Sequence, residues 1–140
     1  MLDFFDTVLR IFLAFILGCV IGWEREKKKR RAGFRTHILV ATGSCLIMLV
    51  SIYIYEMYEK SIAVDPSRIA AGVITGIGFL GAGTIIRSKE GVKGLTTAAS
   101  VWVSSAIGLA TGCGYFSAAL VGTFIAYFSL SFLKKIEEGI

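Results

Sequence analysis

The chain has 140 residues, of which 55% are hydrophobic, with 16 glycines and a single proline. A water-soluble domain carries about 45–50% apolar residues, so this composition predicts a chain that faces lipid. The same figures exclude a disordered chain, a collagen-like fibre and a disulfide-stapled secreted domain. The formal net charge of +5 leaves a nucleic-acid partner open until the charges are placed along the chain.

Five apolar segments follow one another, separated by the larger clusters of charge. They lie at about residues 4–23, 37–55, 69–86, 95–112 and 115–133. A transmembrane helix needs about 20 mostly apolar residues, so the sequence predicts an all-α membrane protein made of one domain with five transmembrane helices. The third and fourth segments are short and rich in small residues, which leaves a re-entrant or tilted arrangement open.

Most basic residues fall in connections that a five-span chain places on one side. Seven Lys and Arg residues lie between the first and second segments, three between the third and fourth, and Lys134 and Lys135 after the fifth. The positive-inside rule makes that side cytoplasmic, so the N-terminus is predicted outside and the C-terminus inside. The first segment has no basic region before it and is predicted to be a retained anchor.

The basic run from Lys27 to Arg31 is interpreted as this topology signal and as a contact for anionic lipid head groups. Aromatic residues are not interleaved with it, so nucleic acid is not a predicted partner. The three cysteines (Cys19, Cys45 and Cys113) and the single histidine show no metal-ligand or catalytic spacing. No cofactor, metal site or enzymatic activity is predicted.

Small residues are concentrated in the third and fourth segments, where they favour close packing of helices in lipid. The third segment contains five glycines: Gly72, Gly76, Gly78, Gly81 and Gly83. The fourth carries a face of small hydroxyl residues: Thr96, Thr97, Ser100 and Ser104. We expect these two faces to pack together, with a polar cavity as the alternative. Trp102 lies in mid-segment and is predicted to pack against the bundle or a neighbouring subunit.

Two pairs of opposite charges lie at the predicted outer end. Asp6 and Arg10 are four residues apart within the first segment, where ionisable groups are costly and become site candidates. An ion pair within the helix is the structural alternative. Asp65 and Arg68 lie at the outer edge, where Asp65-Pro66 predicts the start of a helix.

Several ordered motifs resemble those of a known family. They are Gly22-Trp23-Glu24-Arg25-Glu26, Ala32-Gly33-Phe34-Arg35-Thr36-His37, Asp65-Pro66-Ser67-Arg68-Ile69-Ala70, the glycine-rich run from Gly76 to Gly83, Gly94-Leu95-Thr96-Thr97-Ala98-Ala99, and Ala106-Ile107-Gly108. Together, over about residues 9–126, they resemble the MgtC/SapB family of bacterial inner-membrane proteins.

The resemblance implies a five-helix membrane domain with its N-terminus outside, as the charges also indicate. It implies a role in magnesium homeostasis under magnesium limitation and in virulence, by regulation of a membrane partner such as the ATP synthase. Many family members carry a soluble C-terminal domain. This chain ends at Ile140, so we expect a short or truncated form without that domain.

The motif of most specific resemblance also has chemistry of its own. Glu24, Arg25 and Glu26 end the first segment, and Arg35, Thr36 and His37 begin the second. A helical hairpin brings these two groups together at the cytoplasmic edge, where either glutamate can pair with Arg35. The motif is interpreted as a structural clasp or as a regulatory or ligand site.

The leading hypothesis is a non-enzymatic inner-membrane regulator that acts through helix contacts, as a homo-oligomer with a dimer favoured. The alternative is an ion transporter or channel, with magnesium as the ion. Mg²⁺ is usually held by one or two carboxylates and water, and Asp6 is the only carboxylate clearly inside a predicted segment.

Overall fold

The computed structural model describes residues 2–60, 64–89 and 91–133 as five helices and a short hairpin. The helices are α1 (Phe4–Lys27), α2 (Phe34–Tyr58), α3 (Ser67–Ala82), α4 (Leu95–Gly112) and α5 (Phe116–Phe128), and a π-helical turn (Ser129–Leu133) continues α5. The antiparallel strands β1 (Ile86–Ser88) and β2 (Gly91–Lys93) lie between α3 and α4. Lys134 and Lys135 lie outside the described residues.

Among the described residues, two helices have the length and apolar composition needed to cross a membrane. They are α1, with 24 residues, and α2, with 25 residues. At 1.5 Å per residue each is about 36 Å long, which exceeds the ~30 Å hydrocarbon core of a bilayer. The 16 residues of α3 span only about 24 Å, so a vertical crossing by α3 alone falls short of that thickness.

The third apolar segment ends earlier as a helix than its predicted limit of residue 86. Its helix ends at Ala82, and Thr84 Oγ1 then donates to the carbonyl of Gly81 at 2.8 Å. Gly94 has a φ of +97° and lies so close to Thr84 that a Cβ would overlap the Thr84 carbonyl oxygen. Glycine tolerates both the left-handed backbone and this contact, and the chain therefore closes a hairpin between α3 and α4.

Helix α4 lies at the centre of the bundle and contacts each of the other four helices. Ile107 of α4 packs with Leu17, Ile21 and Ala119 in one apolar cluster, while its Val101 packs in another cluster with two residues of α3. The polar face of α4 is buried as well, and it comprises Ser100, Ser104, Ser105 and Thr111. The interior of the bundle is therefore partly hydroxyl-bearing.

The closest helix contacts are made by glycines outside the predicted glycine-rich face. A Cβ on Gly18 or Gly22 would lie 2.9 Å or 2.8 Å from a Cα atom of α2. A Cβ on Gly108 would overlap the Ala41 carbonyl oxygen, and one on Gly112 would lie 2.7 Å from the Cys45 carbonyl oxygen. Both pairs have the G-x-x-x-G spacing that favours close approach. They hold α2 against α1 and α4.

The expected packing of the glycines of α3 on the hydroxyl face of α4 is wrong for most of these residues. Gly81 faces Ala98 of α4, with a Cβ placed 3.6 Å from it, but Gly72, Gly76 and Gly78 have no atom within 4 Å of such a Cβ. Thr97 and Ser100 of the hydroxyl face instead bond to Arg25 of α1 and His37 of α2. Three glycines of α3 are consequently left on the surface of the described bundle.

Large apolar side chains cover the outside of the bundle. Phe4, Phe5, Phe79 and Phe124 are each at least 70% exposed. Soluble proteins rarely expose contiguous apolar surface of this kind. The exposed aromatic groups and the buried hydroxyl groups are the distribution expected of a bundle in lipid.

Candidate functional site

The motif singled out in the sequence lies at one end of the bundle, where α1 ends and both α2 and α4 begin. Glu26, on the last turn of α1, reaches the first amide of α2, and its Oε2 accepts from Phe34 N–H at 3.0 Å. Gly33 leaves room for this carboxylate, because a Cβ there would overlap Glu26 Oε2. Glu26 therefore caps α2 at the positive end of its helix dipole.

Arg25 and Glu24 are buried side by side, each 4% exposed. Arg25 Nη2 donates to Thr97 Oγ1 at 2.9 Å, which joins the end of α1 to the first turn of α4. Glu24 Oε1 lies 2.6 Å from Lys28 Nζ, which also donates to the Leu130 carbonyl at 2.7 Å. Arg25 thus joins α1 to α4, while Lys28, paired with Glu24, joins the end of α1 to the turn that continues α5.

His37 is fully buried between α2 and α4. Its Nδ1 lies 2.8 Å from the Gly33 carbonyl oxygen and its Nε2 lies 3.1 Å from Ser100 Oγ. Because a carbonyl can only accept, Nδ1 carries a proton and donates it. Ser100 Oγ also lies 2.8 Å from the Thr97 carbonyl oxygen. Arg25, Thr97, Ser100 and His37 form a connected group, which we call the buried polar cluster.

The structure brings four of the six motif residues together and leaves two outside. Arg35 and Thr36 are exposed on the first turn of α2. The expected ion pair of Arg35 with a glutamate is not among the salt bridges of the described residues. Glu24 pairs with Lys28, and Glu26 accepts from the Phe34 N–H of α2. The contact between α1 and α2 therefore uses a backbone amide, whereas the sequence predicts the guanidinium of Arg35.

The residues of the hydroxyl face of α4 differ in their burial. Thr97 and Ser100 belong to the buried polar cluster, and Ser104 is buried with no hydrogen-bond partner for its Oγ among the described residues. Thr96 is exposed. Trp102 is 46% exposed, so part of the indole is covered by the bundle, and contact of the exposed part with a neighbouring subunit stays a prediction.

Asp6 and Arg10 form the ion pair that was the structural alternative for them. Arg10 Nη2 lies 2.7 Å from Asp6 Oδ2, and Arg10 Nη1 donates to the Gly112 carbonyl at 2.8 Å. That carbonyl ends α4, where a cation is favourable. Arg10 also lies over the Phe116 ring, 6.0 Å from its centroid. Arg10 therefore fastens α1 to the turn between α4 and α5.

Asp65 begins α3 through its carboxylate, which accepts from the Ser67 N–H at 2.8 Å. Hydrogen bonds from Ser67 lower the pKa of the Asp65 carboxyl below its ordinary value. Within the described part of the chain, no salt bridge joins Asp65 to Arg68. Asp65 acts here as a helix start.

The sequence places Lys28 and Arg30 only within the basic run, but both line a cavity beside Arg25. The spacing of Glu24 and Lys28, four apart on one helix, is the signal that predicts their pairing. In the described residues, no group of three or more His, Cys, Asp or Glu side chains is placed to hold a metal ion.

The described residues form a helical bundle with two helices of membrane-crossing length, an apolar outer surface and polar ties at both ends, which is the pattern of an integral membrane protein. The chain belongs to the MgtC family, which matches residues 11–139. This confirms the resemblance seen in the sequence.

Named relatives agree with this membership. The chain is 40% identical to "Putative magnesium transporter YhiD" of Escherichia coli K12 over 94% of the chain and 62% of that protein. It is 40% identical to SapB of Bacillus subtilis over 96% of the chain and 60% of the relative, and 40% identical to MgtC of Salmonella typhimurium over 97% and 56%. The chain thus spans about 60% of the length of these relatives. No solved structure matches the chain.

Proposed function

We propose that the chain is a non-enzymatic regulatory protein of the bacterial inner membrane, linked to magnesium homeostasis under magnesium limitation and to virulence. In this proposal it crosses the membrane five times with its N-terminus outside. Membership of the MgtC family, two helices of membrane-crossing length and the apolar outer surface support it. The regulated partner is a membrane protein such as the ATP synthase.

The observation that carries the proposal is an open groove of about 710 Å³ between α2 and α3. Gly72 and Gly76 lie in it, and neither would bring a Cβ within 4 Å of another atom. Exposed glycines one turn apart allow another transmembrane helix to approach closely. We propose that this groove is the contact surface, either for a second copy in a homodimer or for the regulated partner.

The test is a matched pair of substitutions on α3. Gly76→Leu fills the groove, whereas Gly78→Leu places the same side chain on the same helix outside the groove lining. A Cβ at either position meets nothing within 4 Å, so both variants are expected to fold. Crosslinking in native membranes followed by co-purification is expected to recover the dimer or the ATP synthase with the Gly78→Leu variant and neither with the Gly76→Leu variant.

Equal crosslinking in the two variants, with ATP synthase output unchanged by expression of the protein, would overturn this proposal. Each variant is measured at matched membrane abundance, because loss of the protein itself also removes crosslinks.

The alternative function is transport of an ion, with magnesium as the candidate, and the name that YhiD carries favours it. Asp6 is the intramembrane carboxylate that such a path would use, but its Oδ2 is held by Arg10 at 2.7 Å. Magnesium flux into proteoliposomes that is abolished by Asp6→Asn would establish transport. Absence of magnesium flux with both the unsubstituted protein and the Asp6→Asn variant would rule out transport as the function.

A further inference from the structure

A cavity of about 420 Å³ opens at the end of the bundle where α1 ends and α4 begins. Three cationic side chains line it, those of Arg25, Lys28 and Arg30, and its described lining contains no carboxylate. Glu24 does not line the cavity, but its Oε1 lies 2.6 Å from Lys28 Nζ and offsets the charge of Lys28. The charges of Arg25 and Arg30 are left in excess, so the cavity is positively charged.

The N-terminus of α4 faces the same cavity, with Gly94, Leu95, Thr96 and Thr97 in its lining. No side chain caps this 18-residue helix. Its first backbone bond runs from Ala98 N–H to the Gly94 carbonyl at 2.9 Å. The three amides before Ala98 have no acceptor in the helix itself, and together with the helix dipole they favour an anion.

Arg25 supplies an independent indication of a ligand. It is 4% exposed and lines the cavity, and although its Nη2 bonds to Thr97, its buried Nε has no hydrogen-bond partner among the described residues. Leaving a buried donor of a charged group unsatisfied is costly. An anion in the cavity would accept from this guanidinium and reduce that cost.

The turn after α1 fixes the backbone of Arg30, the third cationic residue of the cavity lining. Lys29 has a φ of 50°, its N–H donates to the Glu26 carbonyl, and Arg30 N–H donates to the Arg25 carbonyl at 3.0 Å. This pair of hydrogen bonds is a Schellman motif, which ends a helix in a defined geometry. Arg30 is therefore held next to Arg25 by the backbone, even though its side chain is exposed.

The charged cavity continues into an apolar crevice of about 410 Å³ between α4 and α5. The two share the residues Thr96, Ser129 and Leu130. The crevice is lined further by Val103, Gly122 and other small or apolar residues. A polar head and an apolar chain in one ligand match this pair of adjoining spaces.

We propose that the cavity binds a phosphate group, carried as the head group of an anionic phospholipid whose acyl chain lies in the α4–α5 crevice. Free phosphate shares the chemistry of the head group, and the crevice is what favours the lipid. The inference is independent of the proposed regulatory function, because it depends on neither the α2–α3 groove nor any protein partner.

The test uses the full chain purified in a neutral detergent and measures its Tm. Phosphatidylglycerol, phosphatidylcholine and inorganic phosphate are titrated separately. We expect a saturable rise in Tm with phosphatidylglycerol and a much smaller one with phosphatidylcholine. Arg30→Gln is expected to raise the half-saturating concentration about tenfold, the scale of one charged hydrogen bond.

Matched controls separate a site from general charge attraction. Arg31→Gln removes the same charge from an exposed neighbour that does not line the cavity, and it is expected to leave half-saturation unchanged. Gly122→Val extends into the crevice, where a Cβ has ordinary contact with Ile107 at 3.7 Å. It is expected to weaken the lipid response and to spare any response to inorganic phosphate.

Equal losses in Arg30→Gln and Arg31→Gln, or no saturable difference between the two lipids and no response to inorganic phosphate, would overturn the site. A Tm response to inorganic phosphate as large as that to phosphatidylglycerol, unaffected by Gly122→Val, would uphold the phosphate site and overturn the lipid as its source.

Discussion

At the scale of single residues, the buried polar cluster has more hydrogen-bond acceptors around Ser100 than its single hydroxyl proton can satisfy. His37 Nδ1 donates to the Gly33 carbonyl, so a neutral imidazole can only accept at Nε2. Ser100 has one hydroxyl proton and two acceptors in range, His37 Nε2 at 3.1 Å and the Thr97 carbonyl at 2.8 Å. When His37 is neutral, the Ser100 hydroxyl can donate its proton to only one of these two acceptors at a time. Ser100 is therefore the residue on which the satisfaction of the buried imidazole depends.

Substitution of Ser100 tests this dependence. Ser100→Ala removes the described partner of His37 Nε2 and is expected to lower the free energy of unfolding by about 1–3 kcal/mol, the cost of a buried unsatisfied group. Ser104→Ala is the matched control on the same helix, because Ser104 Oγ is buried without a partner in the described chain. Ser104→Ala is expected to be neutral or stabilising. Thermal unfolding in detergent measures both, and equal losses would contradict the role of Ser100.

The sequence indicates half of this cluster but not its bonds. A short connection brings helix ends together, and it therefore predicts that Arg25 and His37 lie at the same edge of the bundle, but not that Thr97 and Ser100 of α4 join them. The partner of Glu26 is not predictable in this way, because each residue of a helix turns the side chain by about 100°. Arg35 points outward while His37, two residues later, points inward. Which face of α2 is buried depends on α4, which lies more than 60 residues away in the chain.

At the scale of helices, the closest approaches are made at glycines, but glycine spacing alone does not decide which helices approach. The sequence predicts five helical segments and a glycine-rich third one, but the tight contacts are made by Gly18, Gly22, Gly108 and Gly112. Their spacing is visible in the sequence, yet spacing alone does not tell whether a glycine meets a neighbouring helix or open space. Gly72 and Gly76 have the same spacing and meet nothing within 4 Å. Only the packed bundle distinguishes a glycine that contacts another helix of the same chain from one that lies on the surface, where a helix of another chain can approach.

Gly108 tests the contact between α2 and α4. In Gly108→Ala the new methyl group overlaps the Ala41 carbonyl oxygen, a backbone atom that cannot move without shifting α2. We expect a loss of about 1–3 kcal/mol in the free energy of unfolding, the usual range for overpacking. In the control, Gly122→Ala, the methyl group has ordinary contact at 3.7 Å. This variant is expected to gain up to about 1 kcal/mol from better helix propensity.

The two glycine variants are compared by thermal unfolding in the same detergent. A Gly108→Ala protein as stable as the Gly122→Ala protein would show that α2 is not held as closely as described. That result would also weaken the assignment of α4 as the central helix.

At the scale of the whole molecule, cationic side chains tie helix ends at both ends of the bundle. At one end Arg10 of α1 bonds to the last carbonyl of α4, and at the other Lys28 bonds to the carbonyl of Leu130 after α5. The placement of Arg10 at the C-terminus of α4 is favourable for a cation. The end that contains Lys28 also contains Arg25, Arg30 and the β1–β2 hairpin, so the basic charge is gathered there. The packing defines these two ends, and the charge bias predicts which one is cytoplasmic.

Labelling of cysteines with a membrane-impermeant maleimide tests this orientation. Cys113 is exposed in the turn after α4, at the end that contains Arg10, and we expect it to react in intact cells. In a Cys113→Ser background, Ser88→Cys places an exposed thiol on the hairpin at the opposite end. That thiol is expected to react only after the membrane is permeabilised. The reverse pattern would show that the N-terminus is inside, and reaction of both thiols in intact cells would show that the two ends do not lie on opposite sides of the membrane. Since the charged cavity lies at the hairpin end, the same experiment decides whether its phosphate ligand is drawn from the cytoplasmic leaflet.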